Sequence, residues 1–190
     1  MATQTGILVV AATHREIAPA SSWRTLLCGV GPVDAASRTA AELARERPAL
    51  VLHVGIAGGR RHCAFSPASI VIGTESRYCD LTVAGEWAPS TLSAPLELVS
   101  AAQRALPGAL ALPIGTSARV GGTSGCDVEA MEGFGVMRAA QLAGVPALEV
   151  RAISNHIEET DRAHWHFDAA FSAIIAATPA LVAALARTLD

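Results

Sequence analysis

The feature that most constrains the fold is a series of short, continuous apolar runs that alternate with segments of helical periodicity. The runs Gly6–Ala12 and Ala49–Val54 are rich in β-branched residues, and the amphipathic segment Val33–Arg47 separates them. Apolar runs of this length are typical of strands that are buried on both faces. The alternation predicts an α/β fold with three layers, α/β/α, around a twisted, mixed but largely parallel sheet. No repeat or linker interrupts it, so residues 1–190 are predicted to form one domain.

The remaining elements follow from the same patterns. Gly55–Gly59 ends an apolar strand with small residues, which predicts a turn, either plain or closely approached by a ligand. Pro179 is predicted to kink or divide the long apolar region at the C-terminal end. Further strands are predicted over residues 24–30, 68–73, 109–120 and 147–153, helices over 95–106 and 134–143, and turns over 85–95.

Composition excludes several functions. All 14 basic residues are arginine, so Schiff-base chemistry and the lysine of a P-loop are absent. A net charge of −3 gives no basic surface for nucleic acid. Ile174–Ala186 is too short to span a bilayer, and no membrane partner is expected. Four scattered cysteines without a C-x-x-C pair, and no secretory segment, favour reduced thiols in the cytoplasm.

Two further candidate sites are weak. Gly29-x-Gly31 lies between a strand and a helix, but Asp34 occupies the place of the third glycine of a dinucleotide motif, which favours a plain turn. His156, His164, His166 and Asp161 match no known zinc spacing, and a solvated or hydrogen-bonding role is favoured for them. The sequence therefore predicts no metal and no cofactor.

Two motifs point to a ligand site. In Val128–Gly133 (VEAMEG) a carboxylate, Glu132, stands where an apolar strand enters a helix. In Val150–Asn155 (VRAISN) a side-chain amide, Asn155, stands at the end of the next strand. In α/β sheets, ligands bind outside the carboxyl ends of the strands. The pair predicts a site for a small polar molecule.

These motifs resemble those of the purine nucleoside phosphorylase and nucleosidase superfamily. Three further features bring the chain closer to its futalosine hydrolase branch: Ala11-Ala12-Thr13-x-x-Glu16, the Gly55–Gly58 turn, and Asp161-Arg162-x-x-Trp165. The resemblance extends over nearly the whole chain. It implies a nucleoside phosphorylase-like fold and a homo-oligomer that completes its pocket with a neighbouring subunit.

The resemblance also implies roles for individual residues. Glu132 would accept hydrogen bonds from ribose hydroxyls, and Met131 would pack against the sugar. Glu16 would position or deprotonate the attacking water, and Asn155 would face N7 and the six-position of a purine. The other residues expected to contact substrate are Gly55, Ile56, Ala57, Gly58 and Ser154.

The chemistry of these side chains agrees with that reading. Cleavage of an N-glycosidic bond passes through an oxocarbenium-like sugar, which a carboxylate stabilises. An asparagine can accept from N7–H and donate to a 6-oxo group, whereas an aspartate would accept from a 6-amino group. Asn155 therefore favours hypoxanthine over adenine. The resemblance implies that the reaction is hydrolysis of futalosine to hypoxanthine and dehypoxanthine futalosine, in menaquinone biosynthesis.

Alternatives stay open at this level. Phosphorolysis needs an anion clamp, and His53 and Ile56 stand where related phosphorylases have arginine and serine or threonine, although Arg60 and Arg61 lie nearby. An adenine-type nucleosidase and a homologue that binds a nucleoside without cleaving it are the other readings. Glu132 as a first-turn helix acid, Glu16 as a solvated loop acid and Asn155 as a turn residue are the structural alternatives.

Two further features of the sequence concern the wall of the base site and the residues that bind the rest of the substrate. Gly121–Asp127 is shorter than the segment that usually walls the base in related nucleosidases. Arg162 and Arg77 are both candidates for binding a carboxylate at the non-nucleoside end of the substrate.

Overall fold

The computed structural model describes residues 6–19, 22–82, 87–123 and 125–189. Four helices lie within these residues: α1 Pro32–Arg45, α2 Leu96–Ala105, α3 Gly133–Leu142 and α4 Phe167–Ala186. Eight strands also lie within them: β1 Ile7–Ala11, β2 Arg24–Leu27, β3 Leu50–Gly59, β4 Ile70–Tyr78, β5 Thr91–Ser93, β6 Leu110–Thr116, β7 Val128–Ala130 and β8 Ala147–His156. Three short 3-10 turns cover His14–Glu16, Arg61–Cys63 and Arg162–His164.

The three-layer prediction is confirmed by the two cores that flank the sheet. Along β1, Ile7 and Val9 join a core with α2 and α4, whereas Leu8 and Val10 join a second core with α1 and α3. Because both faces of the strand are covered, its sequence is continuously apolar rather than alternating. Five of the eight strand pairings described are parallel, so the sheet is mixed and largely parallel.

The strand order contains a closed ring. β3 pairs in parallel with β8, β8 antiparallel with β4, and β4 in parallel with β6. β6 then pairs in parallel with β7, which returns to Gly58 and Gly59 of β3. The short β7 therefore brings the residues that follow it to the carboxyl end of β3.

Most predicted elements are confirmed, with three differences. β3 continues through Gly55–Gly59, where a turn was expected, because these glycines make room for neighbouring side chains while the backbone stays extended. A Cβ at Gly59, for example, would overlap the ring of Phe65. α4 is not divided at Pro179 but runs through it. Residues 83–86 of the predicted turn-rich segment lie outside the described residues, and 91–93 form an edge strand.

α4 is long and apolar enough to cross a membrane by length and composition alone, and 50% of that stretch is buried within the fold. Ala170, Ile174 and Leu181 of this helix belong to the core that it forms with α2 and the sheet. Its hydrophobicity is therefore explained by packing in a core.

Candidate active site

A cavity of about 300 Å³ opens at the carboxyl ends of β3 and β8, where β7 leads into α3. Its wall contains eight of the nine predicted site residues: Glu16, Ile56, Ala57, Gly58, Met131, Glu132, Ser154 and Asn155. The three residues expected to perform the chemistry, Glu16, Glu132 and Asn155, lie far apart in the sequence and meet here. The cavity has the position that α/β sheets use for ligands. The chemical roles of these residues stay predictions.

Gly55 is the ninth predicted residue, and it does not line the cavity. It lies opposite Arg151 in the β3–β8 ladder. A Cβ at this position would overlap Nη1 of Arg151 and lie 2.9 Å from Oε1 of Glu16. The structure therefore gives Gly55 a packing role, in which it lets an arginine side chain cross the strand. This differs from the predicted contact with substrate.

Glu16 is held by three donors. Its Oε2 accepts hydrogen bonds from the backbone N–H of Thr13 (2.8 Å) and from the Thr13 hydroxyl (3.0 Å). Its Oε1 accepts from the backbone N–H of Ile56 (3.2 Å). The side chain is 3% exposed, so the alternative of a solvated loop acid is wrong. A carboxylate has about four acceptor positions, so one remains for a further donor such as water.

Glu132 belongs to a buried network centred on Arg151, which is 0% exposed. Nε of Arg151 donates to Oε1 of Glu149 (2.9 Å), and Nη1 donates to Oε2 of Glu132 (3.4 Å). Nη1 also lies 3.4 Å from the backbone oxygen of Ile56, whose N–H binds Glu16. The other oxygen of Glu132 accepts from the N–H of Gly31 (3.1 Å). Glu16 and Glu132 are therefore joined through the backbone N–H and C=O of Ile56 and the guanidinium of Arg151.

Burial controls the charges of this network. Burial, and then the charge of Arg151, lower the pKa of His53, whose ring lies 3.2 Å from Nη2 of Arg151, so the imidazole is neutral. Burial raises the pKa of Glu149, although Arg151 opposes that rise. For Arg151, burial acts to lower the pKa, but Glu149 and Glu132 outweigh it and the pKa is raised. The arginine is thus a permanent charge between two acids.

Asn155 is oriented by local hydrogen bonds. Its Oδ1 accepts from the hydroxyl of Ser154 (2.7 Å), and its Nδ2 donates to the backbone oxygen of His156 (2.9 Å). Because a carbonyl can only accept, this contact fixes which end of the amide carries nitrogen. One N–H and one lone pair stay available to a ligand. Gly58 allows the close approach, since a Cβ there would lie 3.2 Å from Nδ2.

Glu129 lines the same cavity but is occupied by the loop before it. Its Oε1 accepts from the N–H of Gly121 (2.6 Å), and its Oε2 accepts from the N–H (3.0 Å) and hydroxyl (2.7 Å) of Thr123. The shortened segment before β7 is therefore anchored to the strand. Cys126, within this segment, is buried and does not line the cavity, and burial raises the pKa of its thiol to about 11.

The histidines form a separate environment. His156, His164 and His166 line a neighbouring cavity of about 180 Å³, which shares Ser154 and Asn155 with the larger one. Within the described ranges, the group whose ligand atoms lie close enough for a metal is a different one, on the surface: His62, Cys63 and Asp127. These three residues line neither cavity.

The three basic residues considered for phosphate binding, His53, Arg60 and Arg61, do not line the main cavity. His53 is 0% exposed and lies behind the wall. Arg60 pairs with Glu158 (3.6 Å between Nη1 and Oε1), and Arg61 faces the histidine-lined cavity. Among the residues that the structure describes, Arg162 is the one arginine on the wall of the main cavity.

The sequence analysis missed the aromatic end of this cavity. Trp165, Phe167 and Phe171 line it together. Ring centroids lie 5.3 Å apart between Trp165 and Phe167 and 6.1 Å apart between Phe167 and Phe171. A signal was present, since aromatic residues make up only 4% of the chain and three of them fall within seven positions.

The chain is similar in sequence to a known enzyme and similar in fold to several solved structures. No protein-family model matches the chain. Futalosine hydrolase from Streptomyces coelicolor is 36% identical to this chain over an alignment of 182 positions. The match covers 80% of this chain and 75% of that protein.

Solved structures share the fold at low sequence identity. A 5′-methylthioadenosine/S-adenosylhomocysteine nucleosidase from Colwellia psychrerythraea, in complex with adenine, has a TM-score of 0.84 at 16% identity, covering 97% of this chain and 96% of that one. Native futalosine hydrolase from Helicobacter pylori has a TM-score of 0.82 at 13% identity, covering 93% and 97%. With the sequence match to the Streptomyces enzyme, these findings place the chain in the futalosine hydrolase family.

Proposed function

We propose that this protein is a nucleoside N-ribohydrolase that cleaves futalosine to hypoxanthine and dehypoxanthine futalosine, a step of menaquinone biosynthesis. The observation that supports this best is the meeting of two buried carboxylates, Glu16 and Glu132, with the amide of Asn155 on one cavity wall. Membership of the futalosine hydrolase family supports the choice of substrate.

Glu132 stabilises the sugar as the bond between C1′ and the base breaks. That bond breaks through an oxocarbenium-like state, and a carboxylate that is already oriented costs little reorganisation when positive charge develops. Gly31 and Arg151 orient Glu132, and its charge stays only partly neutralised because Glu149 shares the same arginine. Met131, which precedes Glu132 on the wall, packs against the ribose.

Glu16 directs the water. The water oxygen forms a bond to C1′ and gives a proton to Glu16, while the electron pair of the C1′–N bond leaves with the base. Thr13 and Ile56 hold both oxygens of Glu16 in place, which limits the positions that the water can take. Geometry of this kind is what general-base catalysis requires.

Asn155 assists the departure of the base. N7 of the leaving purine takes up a proton from solvent, and Glu16 later returns the proton of the attacking water to solvent. The free lone pair of Asn155 accepts from this N7–H, and its free N–H donates to the 6-oxo group. The bond from Nδ2 to the backbone oxygen of His156 keeps the nitrogen in place for that donation. The site therefore selects hypoxanthine.

Water is favoured over phosphate as the nucleophile. A phosphate site needs arginines or several donors at the sugar. Where related phosphorylases have such groups, this chain has a buried, neutral His53 and an apolar Ile56. Arg60 and Arg61 point elsewhere.

We also propose a homo-oligomer whose neighbouring subunit covers the cavity, and a cytoplasmic location. Val30 and Val120, on the cavity wall, are 61% and 41% exposed, and nearby Val33 is 74% exposed. Exposed apolar side chains grouped in this way favour a protein contact. Light scattering coupled to gel filtration tests the proposal, and a monomer at the enzyme's working concentration would contradict it.

The decisive experiment is incubation of the pure protein with futalosine in phosphate-free buffer, with hypoxanthine measured by chromatography. Release without phosphate is expected. Release only after phosphate is added would identify a phosphorylase, and binding without release would identify an inactive homologue. Release from adenine nucleosides alone would identify an adenine-type nucleosidase.

A further inference from the structure

A group of three side chains of the kind that bind metals lies away from the cavity of the proposed reaction. It consists of an imidazole, a thiol and a carboxylate, on His62, Cys63 and Asp127. Each residue offers one ligand atom, and these atoms all lie within 4.8 Å of one another. All three residues lie off the wall of the main cavity, so the reaction at C1′ gives this group no role.

The distances suit an ion with tetrahedral ligands. Nε2 of His62 lies 3.2 Å from Oδ1 of Asp127. Two such ligands bound to zinc at about 2.0–2.1 Å lie roughly 3.3–3.4 Å apart, so an ion can bind both with little movement. A thiolate bound at about 2.3 Å lies roughly 3.5 Å from each of them. Because Cys63 is already within 4.8 Å of both, a side-chain rotation that moves its sulfur by about 1 Å completes the set.

The backbone already holds the two ligand segments together. His62 and Cys63 lie in the short 3-10 turn that follows β3, and Asp127 directly precedes β7. β3 and β7 pair antiparallel immediately beside these segments. At the site itself, the backbone N–H of Arg60 donates to the backbone oxygen of Asp127 (2.8 Å). The fold therefore brings the ligands together in advance, which reduces the entropy cost of binding an ion.

The surrounding charges also permit a cation. The guanidinium of Arg60 lies 3.6 Å from the carboxylate of Glu158 and donates to the backbone oxygen of Thr123 (2.7 Å). Arg61 lines the histidine-lined cavity. A divalent ion bound by one thiolate and one carboxylate carries no net charge, so it adds little repulsion with these arginines.

We propose that His62, Cys63 and Asp127 form a zinc site with water as its fourth ligand. A thiolate, an imidazole and a carboxylate are all ligands that zinc accepts, whereas Mg²⁺ and Ca²⁺ prefer oxygen alone. The side chains of His62 and Asp127 are 72% and 48% exposed, which leaves room for the water. On binding, a bond forms between zinc and the sulfur, and the thiol proton passes to solvent.

This site differs from the sequence prediction of no metal. That prediction considered His156, His164 and His166, which are different residues. His62 and Cys63 are adjacent and Asp127 lies far along the chain, so the group matches no motif spacing and becomes visible only in the fold.

The ion stabilises the framework and takes no part in the chemistry, so this inference goes beyond the proposed function. It ties the end of β3 to the start of β7, whose pairing consists of Gly58 opposite Glu129 and Gly59 opposite Val128. β7 leads directly into the cavity wall at Glu132. A ligand that binds only the native state raises its stability, so zinc raises the melting temperature.

The test titrates chelator-treated full-length protein with ZnCl₂ by calorimetry and with CoCl₂ by absorption spectroscopy. We expect one tightly bound ion per chain and a charge-transfer band from thiolate to cobalt, which reports a sulfur ligand directly. Cys63→Ser should weaken zinc binding by about 100-fold or more and abolish the band, since even groups outside the ligand shell are worth about 10- to 100-fold. These readouts do not depend on hydrolysis, so failure of the proposed reaction leaves them intact.

Cys79→Ser is the matched control, because Cys79 is also of intermediate burial and lies outside the group. It should bind zinc as wild type does, and zinc should raise its melting temperature but not that of Cys63→Ser. His62→Ala removes a largely exposed side chain, so it should keep the fold, checked by circular dichroism, and bind zinc at least about 10-fold more weakly. Absence of zinc binding in wild type, or wild-type affinity in Cys63→Ser or His62→Ala, would overturn the assignment. A loss in Cys79→Ser equal to that in Cys63→Ser would do the same.

Discussion

The two ends of the cavity are built in opposite ways. At the inner end Glu132 lies on the wall, and Arg151, Glu149 and His53 pack behind it. These residues lie on strands and at a strand–helix junction, and all four are at most 5% exposed. The outer end, defined by Arg162, Trp165, Phe167 and Phe171, lies on a short turn and the start of a helix and is partly open to solvent.

The difference separates chemistry from recognition. At the inner end, His53 lies opposite Glu149 and Gly55 lies opposite Arg151 in one ladder, so backbone hydrogen bonds fix the positions of the charges. At the outer end, one cap and one indole hydrogen bond hold the residues, and the loop can change without disturbing the sheet. Substitutions at the inner end should therefore affect stability and turnover, and those at the outer end only substrate choice.

The largest expected effect is that of Glu132→Gln. The variant keeps an acceptor for the N–H of Gly31 but removes the charge that faces the sugar. We expect kcat on futalosine to fall by about 10³-fold or more, by analogy with other preorganised electrostatic groups. Hypoxanthine release measures the rate, and circular dichroism checks the fold. Glu97→Gln, at an exposed position of α2, is the control, and near-wild-type turnover in Glu132→Gln would remove Glu132 from the mechanism.

Arg151→Leu tests whether the inner end of the cavity contributes more to the free energy of unfolding than the outer end does. It leaves Glu149 and Glu132 buried without their shared cation, and an unpaired buried charge typically costs about 3–5 kcal/mol. We expect the free energy of unfolding, measured with urea, to fall by about that amount.

Arg162→Ala, at the exposed outer end, is the matched control for that measurement and should change the free energy of unfolding by less than about 0.5 kcal/mol. Equal losses in the two variants would mean that the two ends of the cavity do not differ as described.

Asn155→Asp tests base selection. An aspartate accepts from a 6-amino group and cannot donate to a 6-oxo group, so the ratio of kcat/KM for inosine to that for adenosine should fall by about 10²-fold. The substitution should also disturb the orientation of this side chain, because one carboxylate oxygen would face the backbone oxygen of His156, to which the amide now donates a hydrogen bond. Total activity should therefore fall as well. An unchanged ratio would exclude Asn155 from reading the six-position.

The sequence predicted the inner end better than the outer end, for a physical reason. Apolar runs mark strands, and ligand residues at strand ends must converge, so Glu132 and Asn155 could be assigned to one site. The role of Gly55 could not, because the crossing of Arg151 over β3 depends on strand register. The same holds for the ring that β7 closes between β3 and β6, since a three-residue strand has little periodicity of its own.

The outer end was hidden for a different reason. Trp165, which precedes α4, and Phe171, six positions later in its first turns, both line the cavity, and no helical or strand periodicity links them in the sequence. Arg162 was visible as a candidate, but a sequence does not tell which arginines already have partners. The partners of Arg15 and Arg77, which lie 153 and two positions away, had to be seen in the structure.

The smallest effect concerns the pH dependence of stability. Burial, and then Arg151, hold the pKa of His53 below its usual value of 6.5 in the folded state. Below that pH the unfolded chain takes up a proton that the native state refuses, so native stability is full above pH 6.5 and falls as the pH drops towards the folded pKa. The slope from this one group is at most about 1.4 kcal/mol per pH unit. His53→Gln should remove that slope, and urea unfolding of wild type and variant at pH 7.5, 6.5 and 5.5 measures it. Parallel stability curves for the two proteins would show that His53 accepts a proton in the fold. The inner end of the cavity would then accept a second positive charge beside Arg151 despite its burial.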